Sequence, residues 1–255
     1  MGRERLQKRN KDIAIIGITI ALIIVLQAIA EVLKILGLQF SFALGMIPVL
    51  VIAQLRGPKV GTIAGLAFGL TSMTIAAIKY AAVPVWQNVI NPLISVLPRV
   101  IVGLVVSLVA GALNKVLDKR AIEGKKNNIV LEYTFSAIAT LTGVLLNTIG
   151  FLGMFFAFSA GQTVGEYTID LRYILTMVVA INTVVEIASF VVIVPAIVSA
   201  LKRTKVFNEK KATEAVSEER ETDISKSDAL NNEVKNNADF TNSASEESFA
   251  EDDGD

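Results

Sequence analysis

The chain has 255 residues, 53% of them apolar and 19% charged, with a mean hydropathy of +0.56, which sets it apart from ordinary water-soluble domains. It contains no Cys and no His, which excludes a His/Cys zinc site, a Ser–His or Cys–His catalytic pair, a haem His ligand and a disulfide scaffold. The net charge of zero is a cancellation, since residues 1–205 hold 19 Lys+Arg against 9 Asp+Glu and residues 206–255 hold 5 against 15.

A bilayer core about 30 Å thick takes roughly 20 mainly apolar residues per helix. The first stretch that qualifies, 13–36, is longer than a signal-peptide core, lacks a small-residue cleavage site and is followed by further spans, so it is expected to stay in the membrane. It carries Gly17 and Ala21 on one face, a small-residue pair that suits either internal packing or contact with a second membrane protein. Residues 42–55 are apolar but short and include Pro48, so neighbouring helices must shelter their backbone. In the next stretch, 60–82, Gly61, Gly65 and Gly69 recur every four residues and let another helix backbone approach closely.

The loop before the fourth long stretch holds Trp86 with Gln87, Asn88 and Asn91. Trp86 reads as an interfacial anchor or as part of a lid over a ligand. Within 93–114, Arg99 directly follows Pro98, which can free a helical carbonyl. A charge near the bilayer centre costs about 2.5–3.5 kcal/mol on insertion scales, so Arg99 and Glu186 need a reason to be there. At 1.5 Å per residue from the outer helix ends, Arg99 lies about 10 Å deep, Asn147 of stretch 133–158 about 16 Å, and Asn182 and Glu186 of stretch 172–201 about 15 and 21 Å. Asn182 and Glu186 are four apart and share a face. Two readings follow: Arg99 and Glu186 neutralise each other while the asparagines tie helices together, or these residues line a ligand site.

The basic residues cluster in the segments that face inward if the N-terminus is inside, so both termini are expected to be cytoplasmic, which an even number of spans requires. The predicted fold is an all-α integral membrane protein, a six-transmembrane-helix bundle over 1–205. Residues 206–255, rich in Glu, Ser and Asn and poor in aromatics, are expected to form a disordered acidic tail. There is no GxxxxGK[ST] loop, no HExxH, no EF-hand pattern and no intramembrane acidic cluster for Mg²⁺. No enzyme activity, cofactor or metal is therefore expected, and any active transport must draw on a partner or an ion gradient.

The segments RGPKVGTIAGLAFGLTS (56–72), NPLISVLPRVIVGLVVSLV (91–109), LTGVLLNTIGFLGMFF (141–156) and NTVVEIASFVVIVPAIVSALKR (182–203) together resemble the S components of bacterial energy-coupling-factor (ECF) vitamin transporters, over about residues 10–203. Gly17 and Ala21 fall where that family carries a small-xxx-small pattern, with Gly in place of the first Ala. The resemblance implies a bacterial plasma-membrane subunit that captures a vitamin from outside and does no chemistry. A separate transmembrane coupling subunit and two cytoplasmic ATPases would complete the transporter, and no nucleic acid is involved. By the same resemblance Gly17 and Ala21 form the docking face for the coupling subunit. Arg99, Asn147, Asn182 and Glu186 form the pocket, with Asn91 and Trp86 beside it.

The pattern is most similar to the pantothenate-type branch. Arg99 suits a carboxylate and the asparagines suit hydroxyls and an amide. Large ring vitamins ask for stacking aromatics, of which the middle of the fourth and sixth helices offers few. Riboflavin, a pyridoxine-type or pyrimidine precursor and folate stay open as cargo. A self-sufficient secondary transporter, which would often show an internal repeat, and a non-transport scaffold are the competing classes.

Overall fold

The computed structural model describes residues 2–36, 43–80, 86–123, 129–164, 167–174 and 184–204. In chain order its elements are α1 (Gly2–Ile35), α2 (Met46–Arg56), α3 (Pro58–Tyr80), a 3-10 turn (Trp86–Ile90), α4 (Pro92–Ser95), α5 (Leu97–Ile122), α6 (Ile129–Ser159), β1 (Thr163–Val164), β2 (Tyr167–Thr168), α7 (Leu171–Ile174) and α8 (Val184–Lys202). Among the described residues six helices have eleven residues or more. Four segments are long and apolar enough to cross a membrane, Asp12–Ile35, Pro58–Tyr80, Pro92–Arg120 and Ile129–Ser159, and Met46–Arg56 is a shorter apolar helix. The stretch 172–201 is bracketed by α7 and α8, and its middle, with Asn182, lies outside the described residues. One departure from an all-helical chain is the small antiparallel pairing of β1 with β2 after α6.

Met1–Leu201 forms one compact unit. In the second, Lys202–Asp255, the described residues reach only Thr204, so the expected disordered tail at 206–255 lies outside them.

The glycine stripe of α3 sets the closest helix contact. A Cβ on Gly61 would lie 2.6 Å from the carbonyl oxygen of Gly103, one on Gly65 would overlap the carbonyl of Arg99, and one on Gly69 would lie 2.8 Å from the Cα of Val96. Side chains at these positions would hold α3 off α5, and where backbones meet this closely van der Waals packing replaces a hydrophobic drive that lipid does not supply. α2 and α3 are joined by Gly57 alone, at φ +79°, with Pro58 opening α3. A left-handed residue followed by a preset helical φ reverses the chain in one step.

On α6 the buried residues Ser136, Ala139, Thr140, Gly143, Val144 and Asn147 follow the three-and-four spacing of one helix face, so they share its inward side. Asn147 lies in the interior for that reason. The opposite faces are apolar and open: Ile18, Val25 and Val32 on α1, Leu70 and Ile78 on α3, and Leu108 on α5 are all exposed. Exposed apolar surface distributed over every long helix is what a lipid-facing bundle requires and what a water-soluble domain avoids.

Candidate functional site

A cavity of about 250 Å³ opens between α1, α3, the 3-10 turn, α5, α6 and α8. Its walls include Phe68 from the main apolar core, and Ala76, Val89 and Leu152 from a second cluster near the 3-10 turn. Four of the six residues expected to bind a ligand, Arg99, Asn147, Glu186 and Trp86, line this cavity.

Arg99 is held in place by its own local sequence. Pro98 has no N–H to give to the carbonyl of Ile94, four residues earlier, and Nη1 of Arg99 donates to that carbonyl oxygen at 2.8 Å. α4 and α5 are correspondingly two helices separated at Val96 rather than one. Gly65 fixes the backbone of Arg99 from the other side. The guanidinium carbon lies 4.8 Å from the ring centroid of Phe151 and 5.9 Å from that of Phe68, within cation–π range of both. Nε of Arg99 is buried without a hydrogen-bond partner.

Arg99 and Glu186 line the same cavity and attract each other across it, but they form no ion pair within 4 Å. Ion pairs among the described residues include Lys34–Glu31, Arg56–Asp12 and Lys79–Glu31, and Arg99 is in none of these. Glu186 is buried, and its Oε1 accepts the backbone N–H of Ala43 at 2.8 Å, so it secures the chain leading into α2. The guanidinium of Arg99 therefore lines the cavity with no carboxylate within 4 Å among the described residues. A partly buried cation without a direct partner favours an anion that can reach it.

Asn147 is 8% exposed, and its Oδ1 is buried without a partner. Trp86 stacks between Tyr80, at 5.5 Å, and Phe155, at 5.2 Å, and Phe151 follows Phe155 at 6.2 Å. Tyr80, Trp86 and Phe151 of this row line the cavity and give it an aromatic wall. The rings come from α3, the 3-10 turn and α6 rather than from the middle of the fourth and sixth spans.

Asn91 is not among the lining residues. Its Oδ1 accepts the N–H of Leu93 at 3.0 Å and caps α4, a job that its position directly before Pro92 predicts. Neighbouring Asn88 ties the 3-10 turn to the end of α6 through Ser159 and Gln162. Asn182 lies outside the described residues.

Two groups of lining residues were missed in the sequence. Gln27, 7% exposed, donates from Nε2 to Ser72 Oγ at 2.8 Å and leaves Oε1 buried without a partner. Glu31, with Lys34 on α1 and Lys79 on α3, also lines the cavity as a small ion-pair cluster. Positions 27, 31 and 34 share one face of α1. The polar-stripe criterion that singles out 182 and 186 would have found them.

Gly17 and Ala21 are exposed, and a Cβ on Gly17 would meet nothing within 4 Å. The pair plays no part in packing among the described residues. Among those residues no group of three or more His, Cys, Asp and Glu is placed to hold a metal.

Residues 11–198 match the family model described as ECF transporter, substrate-specific component. Neither a curated protein nor a solved structure matches the chain.

Proposed function

This chain belongs to the family of ECF transporter substrate-specific components, and from that premise we propose that it captures a small water-soluble vitamin from outside the cell, with pantothenate as the cargo. The family is one of transporters and not of enzymes. In this reading six helices cross the membrane, α2 among them, with both termini cytoplasmic. The captured vitamin passes to a transmembrane coupling subunit driven by two ATPases. Gly17 and Ala21 form the face of α1 that the coupling subunit covers, supported by their exposure and by the open space around Gly17.

One observation carries the reading. Three buried polar atoms without partners, Arg99 Nε, Asn147 Oδ1 and Gln27 Oε1, belong to residues that line the same cavity. A folded interior leaves few polar atoms unpaired, because each costs about 1–3 kcal/mol. Three around one cavity are accounted for together by a polar solute that supplies the missing bonds.

The volume of about 250 Å³ falls below the roughly 300–1,000 Å³ usual for drug-sized ligands, which favours a small solute. A carboxylate on that solute meets the guanidinium of Arg99, which has no carboxylate within 4 Å among the described residues, and a hydroxyl or amide N–H serves Asn147. Pantothenate carries all of these groups. The aromatic row beside Trp86 favours a second reading, in which the cargo is a ring vitamin of the pyridoxine or riboflavin kind.

Titration calorimetry of the detergent-solubilised protein with pantothenate is expected to give saturable one-to-one binding. Binding of pyridoxine or riboflavin instead would keep the receptor and change the cargo. No binding of any of them, nor of folate, would overturn the reading.

A further inference from the structure

Gln27 sits on the first helix, and its side chain is 7% exposed although it lines the cavity. One end of its amide is fixed by Ser72 on α3, and the other end has no partner. With Nε2 held by Ser72, the open end is an acceptor, and what completes it is a hydrogen-bond donor. A buried acceptor left open in a folded interior calls for a physical reason, and a solute that completes it supplies one.

We propose that Gln27 is a ligand-recognition residue whose amide oxygen accepts a hydrogen bond from a hydroxyl or amide N–H of the bound solute. This rests on the reading of the cavity as the vitamin site and extends it to a helix not otherwise assigned to recognition. The solute is then gripped from three sides, by an anion-seeking group on α5 and by acceptor oxygens on α6 and α1. A solute with a carboxylate but no second donor leaves Gln27 open and binds less tightly.

The position on α1 gives this contact a consequence. Gln27 is six residues beyond Ala21, roughly 240° around the helix at 3.6 residues per turn, and the two occupy different faces, one buried and one exposed. α1 thus meets the solute with one face while its other face stays free for a partner. Cargo and partner bear on the same rigid helix.

The test is calorimetric affinity for pantothenate, pyridoxine, riboflavin and folate, each titrated into detergent-solubilised wild type, Gln27→Met, Ser72→Ala and the double variant. For the vitamin that wild type binds, Gln27→Met is expected to weaken affinity about tenfold, the equivalent of one lost hydrogen bond that leaves its partner unsatisfied. Ser72→Ala is expected to weaken it two- to fivefold alone and to add nothing in the Gln27→Met background, because Ser72 acts through Gln27. Affinity of Gln27→Met within twofold of wild type would overturn this inference and leave the receptor reading standing. Additive effects of the two changes would also overturn it, since they mark packing rather than recognition. A wild type that binds none of the four would remove both readings. Should Gln27→Met not fold, Gln27→Asn, which keeps an amide but cannot span from Ser72 to the solute, is expected to show the same tenfold loss.

Discussion

Gln27 and Gln54 are buried amides on consecutive helices, 7% and 6% exposed, and the structure treats them in opposite ways. Gln54 is complete: Nε2 donates to Thr140 Oγ1 at 3.1 Å, Oε1 accepts from Ser136 Oγ at 2.6 Å, and Thr140 Oγ1 donates on to the carbonyl of Ser136. Gln27 is half complete and lines a cavity that Arg99 and Asn147, also unsatisfied, share. The first cluster, around Gln54, ties α2 to α6, and each polar atom of the Gln54 amide has a partner. The second withholds part of its bonding capacity. Burial alone does not separate structural polar residues from binding ones in a membrane bundle; the unspent donor or acceptor does.

The sharpest way to break this contrast is Arg99→Ala. It is expected to weaken vitamin binding at least a hundredfold while the protein still folds in detergent, since the guanidinium has no ion pair to lose. Binding is read by calorimetry and folding by the monodisperse elution of the purified protein. Gly65→Leu comes next, because its side chain must displace the backbone of Arg99. It should destabilise the bundle by about 3 kcal/mol and lower affinity with it, as read by thermal unfolding and titration on the same sample.

Gln54→Leu is expected to cost about 2 kcal/mol of stability by orphaning Ser136 and Thr140, with affinity per folded molecule unchanged. If it weakened binding as much as Gln27→Met, the two clusters would not be different in kind. Gly17→Leu should abolish co-purification with the coupling subunit and leave both stability and affinity where they are, since nothing lies within 4 Å of that position. The smallest effect belongs to Asn91→Ala, about 1 kcal/mol or less from a lost cap, with no change in affinity. Each is read by a thermal melt paired with a titration or a pull-down.

The sequence made the helices legible because lipid demands long apolar runs, and the order and approximate ends of the first five stretches stand in the structure, while the sixth is described only at its two ends. It also made Arg99 and Asn147 legible, since a polar group in such a run stands out against its neighbours. Three features were not legible, each for a physical reason. Mutual pairing of Arg99 and Glu186 was one of two readings, because opposite charges inside a membrane often meet, yet Glu186 accepts the N–H of Ala43, and sequence does not reveal which backbone donor needs a carboxylate. Asn91 looked like a site residue by company, but its place before Pro92 makes it a cap. The aromatic wall was missed because its rings are scattered over 68–155 and meet only when α3, the 3-10 turn and α6 pack together. Gln27 was readable in principle, as the first of three polar positions on one face of α1, and it stands in a stretch whose hydropathy otherwise says only that the helix spans.

The most direct test of the central claim, that the cavity around Arg99 is the vitamin site, is mass spectrometry of the small molecules released by denaturing wild type and Arg99→Ala after identical expression in rich medium and mild purification. Close to one pantothenate, or one other vitamin, is expected per wild-type chain, and essentially none from Arg99→Ala. Equal amounts released from both proteins would contradict that claim.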